Sequence, residues 1–209
     1  MPAFDTLLEG YRRFRAGGWA QQRARWNELA EGQSPETLVI ACSDSRVDPA
    51  TIFDASPGEI FVIRNIGNLV PPFERDESHH GTSAALEFAV TQIPVKEILV
   101  LGHEFCGACK ASMARAFVDA PQGEGGFIRR WVALLDHARD HVVAAHGEGH
   151  DAERAMERAA VEVSLANLRT FPFVAEAEAA GKLRLRGGWF GIREGRLMLR
   201  EDNGDFRAA

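Results

Sequence analysis

Apolar residues fall in short continuous runs at 37–41 (TLVIA), 60–64 (IFVIR) and 98–102 (ILVLG), with a fourth, more broken run at 183–186 (LRLR). These lengths suit strands. The first three are too apolar for strands with one wet face, which predicts cover on both faces, as in a parallel sheet. Helical spacing separates the runs. In 82–93, Leu86, Val90 and Ile93 recur at i, i+4 and i+7, with Thr82 or Ser83 as expected N-cap and Pro94 as the stop. Two longer helical patterns cover 127–145 and 152–169, the second with an apolar stripe through Val161, Leu165 and Leu168. A shorter one covers 171–180, with Pro172 in its first turn. The C-terminal stretch LRLRGGWFGIREGRLMLRE reads as two strands turning through Arg193, Glu194 and Gly195.

Strands alternating with helices predict an α/β fold: a mostly parallel central β-sheet with one antiparallel edge strand, flanked by helices. Ahead of it, residues 3–30 read as helical, with apolar positions at Phe4, Leu7, Leu8, Tyr11 and Phe14 and a break at Gly17-Gly18. That segment has no core of its own. Residues 1–32 are therefore expected to form a helical arm packing on a partner subunit, and 33–209 a single α/β domain.

Composition narrows the classes. Apolar content of 45% and charged content of 26% match an ordinary globular protein. The net charge of −6, with no continuous basic stretch, speaks against nucleic acid as a partner. No run approaches the length of a membrane span, and the N-terminus lacks the apolar core of a secretory signal, so a cytoplasmic location is expected. Cys42, Cys106 and Cys109 make an odd set, which favours metal binding or thiol chemistry over a disulfide framework.

The chemistry gathers at strand ends, where open parallel sheets place their functional groups. The first run delivers Cys42, then Asp44, Arg46 and Asp48. The third delivers His103 and Cys106 within LVLGHEFCGAC. Adjacent strands lie about 5 Å apart, so the two ends can meet. Two thiolates and one imidazole suit zinc and leave a fourth position for water. Arg46 can hold Asp44 bidentately and keep it ionised beside the metal. Asp48 is expected to cap a helix begun by Pro49. Because two thiolates cancel the metal's charge, water there is expected to ionise less readily than on an all-histidine site, so activity should rise with pH above neutral. The backbone N–H groups at Gly107 and Ala108 are candidates to bind an anion or product oxygen, with a plain tight turn as the equal alternative.

The motifs Cys42-Ser43-Asp44-Ser45-Arg46, Arg64-Asn65-Ile66-Gly67-Asn68 and Gly102-His103-x-x-Cys106-Gly107 together resemble the β-class carbonic anhydrases. The likeness runs from about Gln33 to Gly107, with a weaker echo at Gly187-Gly188-Trp189-Phe190. It implies reversible hydration of carbon dioxide to bicarbonate and a proton, by zinc-bound hydroxide, on one Zn2+ per subunit. It makes Cys42, His103 and Cys106 the zinc ligands and Asp44 with Arg46 the catalytic pair. It also implies a homodimer or higher even oligomer.

The resemblance further points to the open, plant-like subtype. Arg64 stands where the other subtype has an arginine of an inhibitory bicarbonate pocket, but Val39 and Phe190 stand where its tryptophan and tyrosine would be. Gln33, Phe61 and Phe88 match positions that line the carbon dioxide pocket across a dimer interface, and Ile66 and Gly107 join them as expected substrate contacts.

Carbonyl sulfide or carbon disulfide hydrolysis on the same fold is the alternative chemistry. A Cys42 nucleophile is the more distant one, since only three residues separate it from Arg46 and Asp44 would repel an anion. A non-catalytic zinc-dependent oligomer has no use for a carboxylate–guanidinium pair. His137 and His141 have helical ligand spacing but no third partner, and read as a solvated face. His79 and His80 are candidates to relay protons. Cys109 reads as a packed thiol.

Overall fold

A computed structural model describes residues 3–76 and 79–209. They fall into two compact units, Met1–Ser34 and Pro35–Ala209. The first contains α1 (Ala3–Ala16), the single turn α2 (Gly18–Gln21) and α3 (Arg23–Glu31), so the predicted break does fall at Gly17. Phe14 meets Trp26 edge-on at 5.8 Å. None of residues 4–34 is buried, and Phe4, Leu7 and Tyr11 on α1 are more than half exposed.

The second unit is built on a sheet of six strands among the described residues: β1 (Thr37–Cys42), β2 (Ile60–Asn65), β3 (Glu97–His103), β4 (Arg184–Gly191), β5 (Arg196–Arg200) and β6 (Phe206–Ala208). Their order is β2-β1-β3-β4-β5-β6. The first three pairings are parallel, and β4–β5 and β5–β6 are antiparallel. The expected mostly parallel sheet with an antiparallel edge is therefore present. That edge carries a further strand, β6, too short to leave a pattern in the sequence.

β1 and β3 occupy the middle. Leu38 and Ile40 pack into one core with Ile98, Val100, Val161 and Leu165, while Val39 and Ala41 face a second cluster with Leu101. Both faces are covered, as continuous apolar runs require. β2 differs. Only Ile63 along it is buried, and Val62 is 37% exposed. An edge strand has a neighbour on one side only, and the apolar run does not reveal which strand will be the edge.

Between β1 and β2 lies the one-turn α4 (Pro49–Ile52). Asp48 caps it, accepting from Thr51 N at 3.0 Å, with Pro49 in the first turn, as expected. The helix before β3 is α5 (Gly81–Glu87), continued by a wide turn over Phe88–Gln92 in which Ile93 N donates to Phe88 O. Neither Thr82 nor Ser83 caps it. His80 holds that position, and the Thr82 hydroxyl instead accepts from Asn65 Nδ2 at 3.3 Å. After β3 come α6 (Gly107–Met113), α7 (Gly126–Val132), a tight turn over Ala133–Leu135, α8 (Asp136–His146), α9 (His150–Leu168) and α10 (Pro172–Ala179). No helix among the described residues is long and apolar enough to cross a membrane.

α9 lies against β3 and β4. Gly102 permits this approach: a Cβ there would stand 2.8 Å from Val161 Cγ2 and 3.3 Å from Glu157 O. The same contact carries the N-terminal half of α9 to the end of β3.

Candidate metal centre and active site

β1 and β3 run parallel in register, with Ala41 opposite Leu101, so Cys42 and the His103 turn emerge side by side. Cys42 Sγ, Cys106 Sγ and a ring nitrogen of His103 lie within 4.8 Å of one another, and all three residues are buried. The surroundings are apolar: Val47, Leu69, Ala108, Leu135 and Met156 belong to the same cluster as the two cysteines.

His103 tests whether this group suits a metal. Its Nδ1 sits 2.8 Å from the Glu104 carbonyl, which can only accept, so Nδ1 carries the proton. Nε2 is then a bare lone pair. It is buried and has no hydrogen-bond partner. A buried acceptor left unsatisfied costs about 1–3 kcal/mol, and a cation between it and two thiols removes that cost. Two sulfurs and one imidazole nitrogen are a zinc-type donor set.

The thiols agree with this. Without metal, the hydrogen bond from Cys106 and burial push Cys42 up from 9.0 to about 12. Cys106 is also pushed up, chiefly by Cys109 and by burial. Such groups ionise when a cation replaces the proton. Gly67 N points at Cys42 Sγ at 3.4 Å, and the Asp44 N–H also favours the thiolate. Gly67 has φ 80, and a Cβ there would lie 2.6 Å from that of Ala108, so no other residue brings its N–H this close.

Asp44 and Arg46 form a closed fork. Asp44 Oδ1 accepts from Arg46 N and Nε, each at 2.9 Å, and Oδ2 accepts from Nη2 at 2.7 Å. The guanidinium holds the Asp44 carboxyl well below the usual carboxylate range. Arg46 Nη2 also donates to Phe105 O at 3.2 Å, which links the turn after β1 to the turn after β3. Arg64 braces the first turn from beneath through Cys42 O, Asp48 Oδ2 and Asp44 O. Asp48 thus pairs with Arg64 as well as capping α4.

Sequence reasoning missed two carboxylates. Glu157, 5% exposed on α9, accepts from Phe105 N at 2.6 Å, Cys106 N at 3.4 Å and Trp189 Nε1 at 3.0 Å. Burial pushes its carboxyl up, against those three donors. Glu104, also 5% exposed, accepts from Arg193 N at 3.0 Å and from Arg154 Nη2 at 3.2 Å. A signal for Glu157 was present: it stands four residues before Val161, on the apolar stripe of its helix.

The remaining expected positions are spread out. Ile66 follows β2, is 47% exposed, and its carbonyl accepts from Trp131 Nε1 at 2.6 Å. Gly107 opens α6 beside Cys106, and a Cβ there would meet nothing within 4 Å. Phe61 and Phe88 stack on each other at 6.2 Å. Phe61 pairs with Leu38, whereas Cys42 pairs with Asn65. Four residues of strand, about 13 Å, therefore separate the register of Phe61 from that of the thiol. Gln33 is exposed in the first unit. Cys109 is buried, with its thiol 3.9 Å from Met156 O. His137 and His141 are exposed, with rings 4.6 Å apart. His80 pairs with Asp76 at 2.6 Å, and with Glu74 they form a second, more exposed group at ligand spacing.

Fold and site together define an α/β protein whose two central strands present a Cys2His group fit for a metal, next to an ionised carboxylate. A family model described as carbonic anhydrase matches residues 37–197. Among curated relatives, the chain is 35% identical over 203 residues to "Beta carbonic anhydrase 3" of Arabidopsis thaliana, covering 96% of this chain and 78% of that protein. Among solved structures, the β-carbonic anhydrase CcaA superposes with a TM-score of 0.90 at 32% identity, over 99% of this chain and 92% of that one. A tetrameric β-carbonic anhydrase of Sordaria macrospora does so with a TM-score of 0.80 at 28% identity, over 95% and 97%. The chain belongs to the carbonic anhydrase family, in its β class, and is an enzyme of that kind.

Proposed function

We propose that this chain hydrates carbon dioxide reversibly to bicarbonate and a proton, with one zinc ion held by Cys42, His103 and Cys106. The observation that carries the reading is the buried, unpartnered Nε2 of His103 beside two buried thiols, next to a carboxylate locked in its ionised form. Zinc, when bound, supplies a Lewis acid that lets water ionise in an accessible pH range. The chain's residues do the rest. Asp44 Oδ1 already accepts two hydrogen bonds and Oδ2 only one, so Oδ2 has a lone pair to spare. It can accept a hydrogen bond from the attacking oxygen and turn that oxygen's lone pair toward carbon. Arg46 fixes the carboxylate in place and keeps it from protonating.

The same geometry supports the open subtype. Both Asp44 oxygens accept from Arg46, which holds the carboxylate in place, and the three guanidinium nitrogens of Arg64 donate to Cys42 O, Asp48 and Asp44 O. The substrate roles that resemblance gives Gln33, Phe61, Ile66, Phe88 and Gly107 are part of this proposal. The stacked Phe61 and Phe88 stand far from their own chain's thiols, on the side of the open-edged strand β2. We therefore propose that they serve a second copy, in a dimer or larger even assembly, in a cytoplasmic setting. Sedimentation would show a monomer if the assembly is wrong.

Stopped-flow carbon dioxide hydration, with zinc measured in the same samples, tests the reaction on wild type and Asp44→Asn. Wild type should turn over, and the variant should keep its zinc and lose about 10²–10⁴-fold in rate. Zinc-loaded wild type that leaves carbon dioxide untouched but consumes carbonyl sulfide would overturn the substrate assignment.

A further inference from the structure

Phe105 stands between the two metal ligands of the second turn, and its backbone is unusual. Its φ is +59, a left-handed conformation that a bulky aromatic residue does not adopt unaided. Two hydrogen bonds hold it from opposite sides. Its N–H donates to Glu157 at 2.6 Å, and its carbonyl accepts from Arg46 at 3.2 Å. Arg193 lies over its ring at 4.8 Å. The next N–H, that of Cys106, points at the same Glu157 oxygen at 3.4 Å. The other Glu157 oxygen is tied to the Trp189 indole at 3.0 Å, so the carboxylate is anchored to β4 and aimed at the turn.

We propose that Glu157 is a positioning residue: it holds the 105–106 backbone in the strained turn that places Cys106 Sγ for metal capture and the Phe105 carbonyl for Arg46. The inference rests on the metal site proposed above. Its chemistry is plain. A turn that presents two consecutive N–H groups inward needs an acceptor with free lone pairs, and a buried carboxylate with one oxygen anchored elsewhere supplies it. Through Phe105 the same residue reaches the Asp44–Arg46 pair, so one buried carboxylate sets both the ligand and the orientation of the catalytic group. Outer hydrogen bonds of this kind typically change metal affinity about 10–100-fold when removed.

Three variants test it, each read by zinc affinity in competition with a chelator, by the thiolate-to-metal absorption of the cobalt-substituted enzyme, and by kcat at full zinc occupancy. Glu157→Leu removes the acceptor for both N–H groups. It should weaken zinc about tenfold or more, shift the cobalt–thiolate band and lower kcat. Trp189→Phe removes only the anchor's indole donor. It should lower thermal stability and disturb zinc affinity and the cobalt band less than Glu157→Leu does, because both N–H groups keep their acceptor. Glu157→Gln keeps the volume and one acceptor oxygen, and should fall between them; it carries the test if the leucine variant does not fold.

Wild-type zinc affinity and an unshifted band in both Glu157 variants overturn the proposal. So does a Trp189→Phe variant that matches Glu157→Leu in zinc loss, since that marks general destabilisation of the core. These outcomes are separate from failure of the proposed function, which would show as wild-type enzyme that holds no zinc or hydrates no carbon dioxide.

Discussion

After β1 the turn is held by charge near the surface. Asp44 and Arg46 clasp each other with side chains 19% and 47% exposed, and Arg64 and Asp48 brace them from partly exposed positions. After β3 the turn is held from inside. Glu104 and Glu157, each 5% exposed, receive backbone N–H groups of Phe105, Cys106 and Arg193. The first turn is assembled from neighbours within six residues plus one arginine on the adjacent strand; the second takes Glu157 from a helix that begins nearly fifty residues later and ties its own Glu104 to Arg193 beyond β4. The first can lose a brace to water at low cost, because water replaces the lost partner. The second loses more, because Glu157 and the Cys106 N–H are buried and find a replacement partner less readily.

Removal of a ligand breaks the comparison most severely, since it empties both turns of their purpose. His103→Ala should abolish stoichiometric zinc and reduce carbon dioxide hydration to the buffer rate, while the sheet persists by circular dichroism. Activity that survives with metal absent would falsify the assignment of His103.

Next in size is the effect of pH on the two thiols. Cys42 is pushed up to about 12 in the metal-free chain and Cys106 is pushed up beside it, so both enter the site protonated. Metal capture must expel those protons, and the apparent zinc affinity should climb with pH, approaching about 100-fold per unit if both leave together. The sign for stability is opposite. A folded-state value above the unfolded one favours the fold at low pH, so metal-free protein should lose stability as pH rises from 9.0 toward 12, whereas zinc-loaded protein should resist. Chelator competition across pH and thermal melts with and without zinc read both; a flat affinity profile would contradict the protonated thiols. Turnover itself should rise above neutral pH. Asp44 takes no part in that rise, because Arg46 keeps it ionised throughout.

The two turns then separate in stability alone. Glu104→Ala removes a buried carboxylate that accepts from the Arg193 N–H and from Arg154, and should cost about 1.5–3 kcal/mol. Asp48→Ala removes a helix cap and an exposed ion pair and should cost about 1 kcal/mol. Urea titration of zinc-loaded protein ranks them, and equal costs would erase the distinction between a buried and a surface support.

That distinction also decides what the sequence reveals. Cys42, Asp44, Arg46, His103 and Cys106 stand within a few residues of strand ends, so their grouping follows from two apolar runs and a parallel sheet. β1 and β3 are legible for the same reason. β2 is legible as a strand but not as an edge, because its exposure depends on which strands find neighbours. β6 has three residues and no periodicity. The place of Glu157 on the apolar stripe of its helix marks it as buried, but its role arises only where Gly102 lets α9 come close to β3, and Glu104 gains its role from Arg193, far along the chain. The proton on His103 Nδ1 depends on a carbonyl one residue away turning back toward the ring, which no pattern of residue types encodes.

Placing the metal group across the two central strands also fixes an order of events during synthesis. Cys42 leaves the ribosome about sixty residues before His103 and Cys106, and a lone thiol holds zinc weakly. β3 lies between β1 and β4, and β4 is made about eighty residues after His103 appears. The Glu157 carboxylate that steadies the last ligand also comes late. On the proposed site, metal uptake would then belong to the end of folding, when the middle of the sheet has closed, and bound zinc would be a stamp that the chain has reached its finished topology.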